Sequence, residues 1–514
     1  MKITVMDTTL RDGEQTSGVS FTDSEKLRVA KLLLEELKVD RIEIASALVS
    51  DGEYRGAQKI LEWANANGYG DRVEILGFVD KDRSLKWIKE VGGQVINLLC
   101  KGSLKHCQEQ LRKTPEEHLA GIQEVITHAN AMGITVNIYL EDWSNGMRNS
   151  PEYVYQMVDA LHKIGVARVM LPDTLGILNP DEAGEFCGAM LARFPDVQFD
   201  FHAHNDYDLA TANIYTAVKV GINCLHTTLN GLGERAGNVP LSSVIGVIKD
   251  MLNHEMNVNE KKLFAVSKMV ESFSGIRIPP NKPLIGENVF TQTSGIHADG
   301  DNKNNLYFND LHPERFDRKR TYALGKLAGK ASIKKNLDEL GIELDTESMR
   351  KLTRKINELG DRKEVVTQAD LPYIIADVLE SMPIQQQIIV KNYALSVAAG
   401  LRSMATLSIE IDGQLHEETA SGDGQYDAFM NALWRIYERL EKPYPELIDY
   451  KVVIPPGGAT HALCRTTITW EMNNKQIKTT GLDSDQAVAA IKATIKMLNL
   501  IENGMGMKDE EKRA

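Results

Sequence analysis

Two imidazoles stand two residues apart at the end of an apolar run, Phe199-Asp200-Phe201-His202-Ala203-His204-Asn205-Asp206. In a strand, residues i and i+2 project to the same face, so His202 and His204 can grip one cation side by side. Neutral imidazole is the commonest protein metal ligand, and a carboxylate brought in from elsewhere would complete a site for a divalent ion. What else reaches this end of the strand depends on the elements around it.

Between residue 1 and about residue 270, short β-rich runs alternate with amphipathic helical patterns. The runs are Ile3 to Asp7, Arg41 to Ala45, Val73 to Val79, Val95 to Leu99, Thr135 to Leu140, Ala167 to Leu171, Gln198 to Phe201 and Ile222 to Leu225. A helix such as Asp23 to Leu37, with Leu27, Ala30, Leu34 and Leu37 on one face, separates each pair. This α/β alternation predicts a (β/α)8 TIM barrel rather than an open doubly wound sheet. The open sheet would place its glycine fingerprint after the first strand, whereas Gly231-Leu232-Gly233-Glu234-Arg235-Ala236-Gly237-Asn238 follows the last and has the wrong spacing.

Barrels of this kind do their chemistry at the C-terminal ends of the strands. Polar residues collect there: Asp7, Arg11 and Asp12 at the first, Glu43 in the second, Glu141 at the fifth, Asp173 and Thr174 at the sixth, His202 and His204 at the seventh, His226 at the eighth. The barrel thus brings Asp12 to the two histidines, with Asn238 in the loop after the eighth strand close enough to join them. One carboxylate and two imidazoles with open positions suit Zn, Mn, Mg or Co, and the residue types do not choose among these.

Residues 271–387 read as helical linker subdomains, with a Pro-rich junction at 278–283 and a Gly/Asn/Asp-rich stretch around His297. Arg315, Arg318, Lys319, Arg320, Lys326 and Lys330 make this region locally basic, as a solvated face or as an anchor for a phosphate-bearing ligand. Residues 388–514 contain two strand-strand-helix patterns. The first has Leu407 to Ile411 and a helix with Phe429, Leu433, Ile436 and Leu440 on one face. The second has Thr467 to Trp470, a turn at Asn473-Asn474, and a helix with Val488, Ile491, Ile495 and Leu498. An α+β module results, without a catalytic constellation, which favours a regulatory or dimerising role.

A net charge of -13 with both signs dispersed argues against nucleic acid or an anionic membrane as partner. No window approaches eighteen uncharged apolar residues, and the N-terminus enters a strand pattern directly, so a cytoplasmic protein is expected. The five scattered cysteines include no C-x-x-C pair, which suggests reduced thiols rather than disulfides or a zinc-thiolate site.

Asp7-Thr8-Thr9-Leu10-Arg11-Asp12-Gly13-Glu14-Gln15, His202-Ala203-His204-Asn205-Asp206 and Gly231 to Asn238 together resemble the DRE-TIM metallolyase family, in its 2-isopropylmalate, homocitrate and citramalate synthase branch. The resemblance extends through the linker to the C-terminal module, which looks like that branch's amino-acid-sensing domain. It implies that Asp12, His202 and His204 ligate the metal, with Asn238 nearby or as a further ligand. It also implies a Claisen condensation of acetyl-CoA with an α-keto acid, followed by thioester hydrolysis. Arg11, permanently charged, suits stabilisation of the alkoxide formed on attack. By the same resemblance His297 is the general base, contributed by the linker of the partner subunit in a homodimer. Glu141 and Thr174 correspond to keto-acid contacts, and Asp299, Asn305 and Tyr307 to positions lining the acetyl-CoA site.

Leu76, Leu99 and Tyr139 resemble the bulky wall with which citramalate synthases close around the methyl of pyruvate, against the roomier pocket for 2-oxoisovalerate in isopropylmalate synthases. Pyruvate, leading to isoleucine biosynthesis, is the expected substrate. Leu447, Tyr450 and Ile454 resemble the effector pocket of citramalate synthases and imply feedback by isoleucine, with leucine as the alternative effector, while Cys464 stands where a branched apolar residue is expected. Competing expectations are an isopropylmalate or homocitrate synthase, an acyl-CoA lyase on the same barrel, and a non-catalytic amino-acid sensor.

Overall fold

The structure is a computed structural model describing residues 1–361, 366–379, 387–454, 464–472 and 475–503. It divides into two compact units, one of residues 1–290 and 309–319, the other of 291–308 and the chain from 320 onward.

The first unit is a closed parallel barrel. Its strands are β1 (Lys2–Asp7), β2 (Arg41–Ser46), β3 (Val73–Phe78), β4 (Val95–Lys101), β5 (Thr135–Glu141), β6 (Arg168–Asp173), β7 (Phe199–Ala203) and β8 (Cys224–Thr227). Each pairs with its successor, and β1 closes the ring by pairing with β8, Met6 opposite His226, and with β2, Met6 opposite Arg41. Parallel strands covered by helices are buried on both faces, and six of these eight are buried along nearly their whole length. The helix expected from Asp23 starts in a Thr22/Glu25 capping box and continues through a π-helical segment, Leu32–Leu37, that buries Leu32, Leu33, Leu34 and Leu37. Outward strand residues and helix faces form one continuous apolar core, including Ile44, Leu61, Ile75, Ile138 and Phe201.

Inside the ring the packing is polar at one level and apolar at another. Arg41 on β2 pairs with Glu74 on β3 at 2.6 Å and with Asp200 on β7, which also meets Arg168 at 3.2 Å. These contacts reach across the barrel, so they lie within it. His226 belongs to this interior layer: it is wholly buried on β8, not displayed at the mouth as its position at a strand end suggests. Met6, Leu76, Tyr139 and Met170, with Leu99, form a separate apolar layer.

In the second unit, Leu324, Ile333, Leu337, Leu352, Ile356, Leu371 and Ile375 build a small helical core. The C-terminal repeat is larger than two strands and a helix. Each copy has three antiparallel strands, Ile388–Ser396, Ser403–Ile411 and Gln414–Gly422, then Glu446–Val453, Cys464–Met472 and Lys475–Asp483. Helices Gln425–Arg439 and Gln486–Glu502 follow them. Phe429, Leu433 and Ile436 pack with Leu407, Trp470, Ile491 and Leu498 in one core shared by both copies. The turn at Asn473-Asn474 lies outside the described residues. All five cysteines are free and buried. Among the described residues no helix is long and apolar enough to cross a membrane.

The basic residues between the two units' segments serve local structure. Arg315 pairs with Asp250 and Glu260, each at 2.8 Å, and Arg318 donates to the carbonyls of Leu284, Gly286 and Glu287 while lying over Phe264 and Phe290. Arg320 stacks on Phe308, and Lys326 pairs with Asp361 at 3.0 Å. Each of these four thus has an internal partner.

Candidate metal centre and substrate cavity

The loop after β1 carries Arg11 and Asp12 and is fixed from several sides. Asp12 N donates to Thr8 O at 2.9 Å, the Thr8 hydroxyl donates to Glu43 at 2.8 Å, and Leu229 N donates to the Thr9 hydroxyl at 2.8 Å. Lys26, buried, donates to the Leu10 carbonyl at 3.3 Å and pairs with Glu14 at 2.6 Å and with Glu53. A charge buried with this many partners is satisfied, and it pins the carbonyl immediately before Arg11.

Asp12, His202 and His204 are all buried, and their ligand atoms lie within 4.8 Å of one another. The Asp12 Oδ2 atom is 3.2 Å from His202 Nε2 and 3.8 Å from His204 Nε2. Burial opposes the charge on Asp12, but Arg11 and the histidines outweigh it and hold the carboxyl well below its usual range. Burial pushes both imidazoles down, His204 to about 4, so both are neutral near pH 7 with a lone pair free to donate. Asn238 pairs with His204 across an isolated backbone bridge, and its Oδ1 is buried without a hydrogen-bond partner. Buried acceptors without partners are costly in a native interior unless a ligand completes them, so this donor set fits a divalent cation. Gly237, at φ 83°, makes the preceding turn possible, since a Cβ there would collide with the Gly231 carbonyl oxygen.

A cavity of about 170 Å³ opens beside this cluster, lined by Arg11, Asp12, His202 and His204 together with Leu76, Leu99, Tyr139, Glu141 and Thr174. It is well below the ~300–1,000 Å³ usual for drug-sized ligands. Nine of the ten barrel-mouth residues expected from sequence to touch metal or keto acid line this cavity; the tenth, Asn238, is bridged to His204 through the backbone and is not among the lining residues. Glu141 pairs with Lys101, and the Thr174 hydroxyl accepts from Asp142 N at 2.9 Å. Arg11 donates through Nε to Glu43 at 2.6 Å and through Nη2 to the Tyr139 hydroxyl at 3.3 Å.

Not every polar strand end serves the cavity. Asp7 accepts from Thr9 N at 2.9 Å and is pushed up to about 7 by burial. Asp173 caps its own loop by accepting from Ile177 N and Leu178 N, both at 3.0 Å. Sequence reading left Glu43, Asn97, Asp200 and Lys101 without roles. Their signal was present as polar residues in otherwise apolar strands, but strand periodicity gives the face a residue occupies and not its depth in the barrel.

His297, Asp299, Asn305 and Tyr307 lie in the second unit. His297, on helix Gly295–Asn302, has Nδ1 3.1 Å from Gln292 Oε1, and its ring lies with its centroid 4.2 Å from that of Tyr307, tilted by 33°. Asp299 pairs with Lys303 at 2.6 Å, and Asn305 N donates to Asp301 O at 3.3 Å. Of the expected effector residues, Leu447 and Tyr450 sit on the outer strand Glu446–Val453, Ile454 follows it, and Cys464 opens the neighbouring strand. Leu447 and Ile454 are exposed, Cys464 is buried, and the half-buried Tyr450 ring meets that of Tyr426 at 5.5 Å.

Residues 2–270 match the HMGL-like family, residues 284–364 the homocitrate synthase post-HMGL domain-like family, and residues 365–502 the LeuA allosteric (dimerisation) domain. The chain is 36% identical to a putative (R)-citramalate synthase of Methanopyrus kandleri over 89% of this chain and 88% of that protein. It is 33% identical to a probable 2-isopropylmalate synthase of the same organism, over 97% and 98% respectively. An (R)-citramalate synthase of Methanocaldococcus jannaschii is 31% identical over 98% of this chain and its own full length. The chain belongs to the HMGL-like family, in the branch that joins this barrel to a homocitrate synthase-type linker and a LeuA allosteric domain.

Proposed function

We propose that this protein condenses acetyl-CoA with pyruvate and that water then hydrolyses the resulting thioester to give (R)-citramalate and CoA, and that isoleucine regulates it through the C-terminal module. The observation that carries the reading is the small cavity whose lining joins Asp12, His202 and His204 to Leu76, Leu99 and Tyr139. A cavity of this size, backed by Met6 and Met170, suits the smallest α-keto acid, and a branched one needs the wall to move.

Asp12, His202 and His204, with Asn238 beside them, would hold a divalent cation, which would supply Lewis-acid activation of the keto carbonyl. The remaining work falls to the chain's own side chains. Arg11 stabilises negative charge developing on the carbonyl oxygen, and because Glu43 fixes its orientation, little reorganisation is needed when that charge appears. Glu141 and Thr174 orient the keto acid. His297 removes a proton from the acetyl methyl group: with Nδ1 bonded to Gln292 Oε1, Nε2 is the nitrogen left to act as base. Asp299, Asn305 and Tyr307 line the acetyl-CoA site, and the linker carrying them comes from the partner subunit of a homodimer. Leu447, Tyr450, Ile454 and Cys464 contact the effector.

Thiol release from acetyl-CoA, followed with each keto acid in turn and coupled to chiral analysis of the product, tests the reading. Pyruvate-dependent release with (R)-citramalate as product is expected. Release of equal or higher efficiency with 2-oxoisovalerate would overturn the choice of substrate.

A further inference from the structure

The hydroxyl of Tyr139 is engaged on both sides. It is 2.9 Å from His226 Nδ1 and accepts from Arg11 Nη2 at 3.3 Å. His226 in turn places Nε2 3.2 Å from Asp200 Oδ2. Asp200 is already faced by the guanidinium groups of Arg41 and Arg168, so its charge is compensated without a proton on the imidazole. A neutral His226 then donates from Nε2 to Asp200 and leaves Nδ1 bare, which makes the Tyr139 hydroxyl the donor in the 2.9 Å contact. The hydroxyl spends its proton on His226 and a lone pair on Arg11. Its ring also stands edge-on to those of His202, 5.9 Å away, and His226, 5.6 Å away.

We infer that His226, held by Asp200, is a positioning residue that tethers Tyr139 as a rigid wall of the substrate cavity, and that this tether sets the upper size limit for the keto acid. The inference rests on the keto-acid reading of the cavity. An aromatic wall free to turn about χ1 yields to a larger substrate at the modest cost of a rotamer change. A wall tied at its tip to His226 on β8 and to Arg11 in the loop after β1 yields only by leaving buried hydrogen-bonding groups unpaired, which costs more. Size discrimination here comes from the strength of the tether as well as the bulk of the ring.

The test measures kcat/KM for pyruvate and for 2-oxoisovalerate in the wild type, His226→Leu, His226→Asn and Tyr139→Phe, with bound metal and Tm recorded for each. His226→Leu removes the acceptor, and Tyr139→Phe removes the hydroxyl while keeping the ring. Both are expected to lower the pyruvate-to-2-oxoisovalerate ratio about tenfold, the scale on which apolar pockets separate substrates differing by a methylene or two. His226→Asn, whose amide oxygen can still accept from the hydroxyl, is expected to keep most of the ratio. An unchanged ratio in a folded, metal-loaded His226→Leu protein overturns the inference. If that variant does not fold, an unchanged ratio in Tyr139→Phe does so. A wild type that prefers 2-oxoisovalerate would sink the pyruvate reading instead, and a shift of the ratio in His226→Leu would still support the tether.

Discussion

Arg11 and Glu43 form a buried ion pair, Nε to Oε2 at 2.6 Å, in which Glu43 is wholly inaccessible and Arg11 keeps one edge toward the substrate cavity. Glu43 also accepts from the Thr8 hydroxyl at 2.8 Å and from Asn97 Nδ2 at 2.7 Å, so the carboxylate is itself fixed before it fixes Arg11. A lysine at position 11 keeps the charge but cannot bond Glu43, Tyr139 and a developing oxyanion in one plane. Arg11→Lys is expected to lower kcat by about 10²–10³-fold, the range for losing one oriented oxyanion donor, with bound metal unchanged. Turnover within a few-fold of wild type would remove Arg11 from the chemistry.

Metal content separates the three proposed ligands from their neighbours. Asp12→Asn and His204→Ala are each expected to reduce bound Mn or Zn, measured by elemental analysis after gel filtration, from near one per chain to a small fraction. Because burial holds His204 at about 4, cation binding displaces no proton from it near neutrality. Full loading of either variant would contradict the ligand assignment.

Asp7 predicts a pH effect remote from catalysis. Its carboxyl is raised by burial from an ordinary 3.8 to about 7. Between these values the folded state holds a proton that the unfolded state has released, so stability falls as pH rises and the loss is complete above pH 7. Asp7→Asn, which mimics the protonated form and can still accept from Thr9 N, should stabilise the protein at pH 8 by on the order of 4 kcal/mol. The gain should vanish near pH 4. Equal melting temperatures for variant and wild type at pH 8 would show that Asp7 is not destabilised by burial.

Effector binding is expected to be visible without an activity assay. Isoleucine should raise Tm by mass action on the folded state, and Tyr450→Ala should abolish both that shift and inhibition. Loss of inhibition with the thermal shift retained would place the effector elsewhere in the module.

The barrel was legible because strands buried on both faces read as continuous apolar runs, and all eight were found within three residues of their observed ends. The ends most often set too short were those where the site begins: Lys101, Glu141, Asp173 and His202 extend their strands but break the apolar run. The first strand of each C-terminal repeat escaped notice for a different reason. Ile388–Ser396 and Glu446–Val453 pair with one neighbour only and are largely exposed, so they carry little of the alternation that marks a half-buried strand. The metal cluster was legible as a spacing, whereas the Asp200, His226 and Tyr139 chain was not, because it links three strands through contacts that no local pattern encodes.

On the proposed reading, selection of pyruvate rests on the wall formed by Leu76, Leu99 and Tyr139. It is tested most directly by letting equimolar pyruvate and 2-oxoisovalerate compete for limiting acetyl-CoA and quantifying both products, since their ratio reads the ratio of kcat/KM values without separate rate measurements. Citramalate in large excess is the predicted result; isopropylmalate in equal or greater amount would contradict the account.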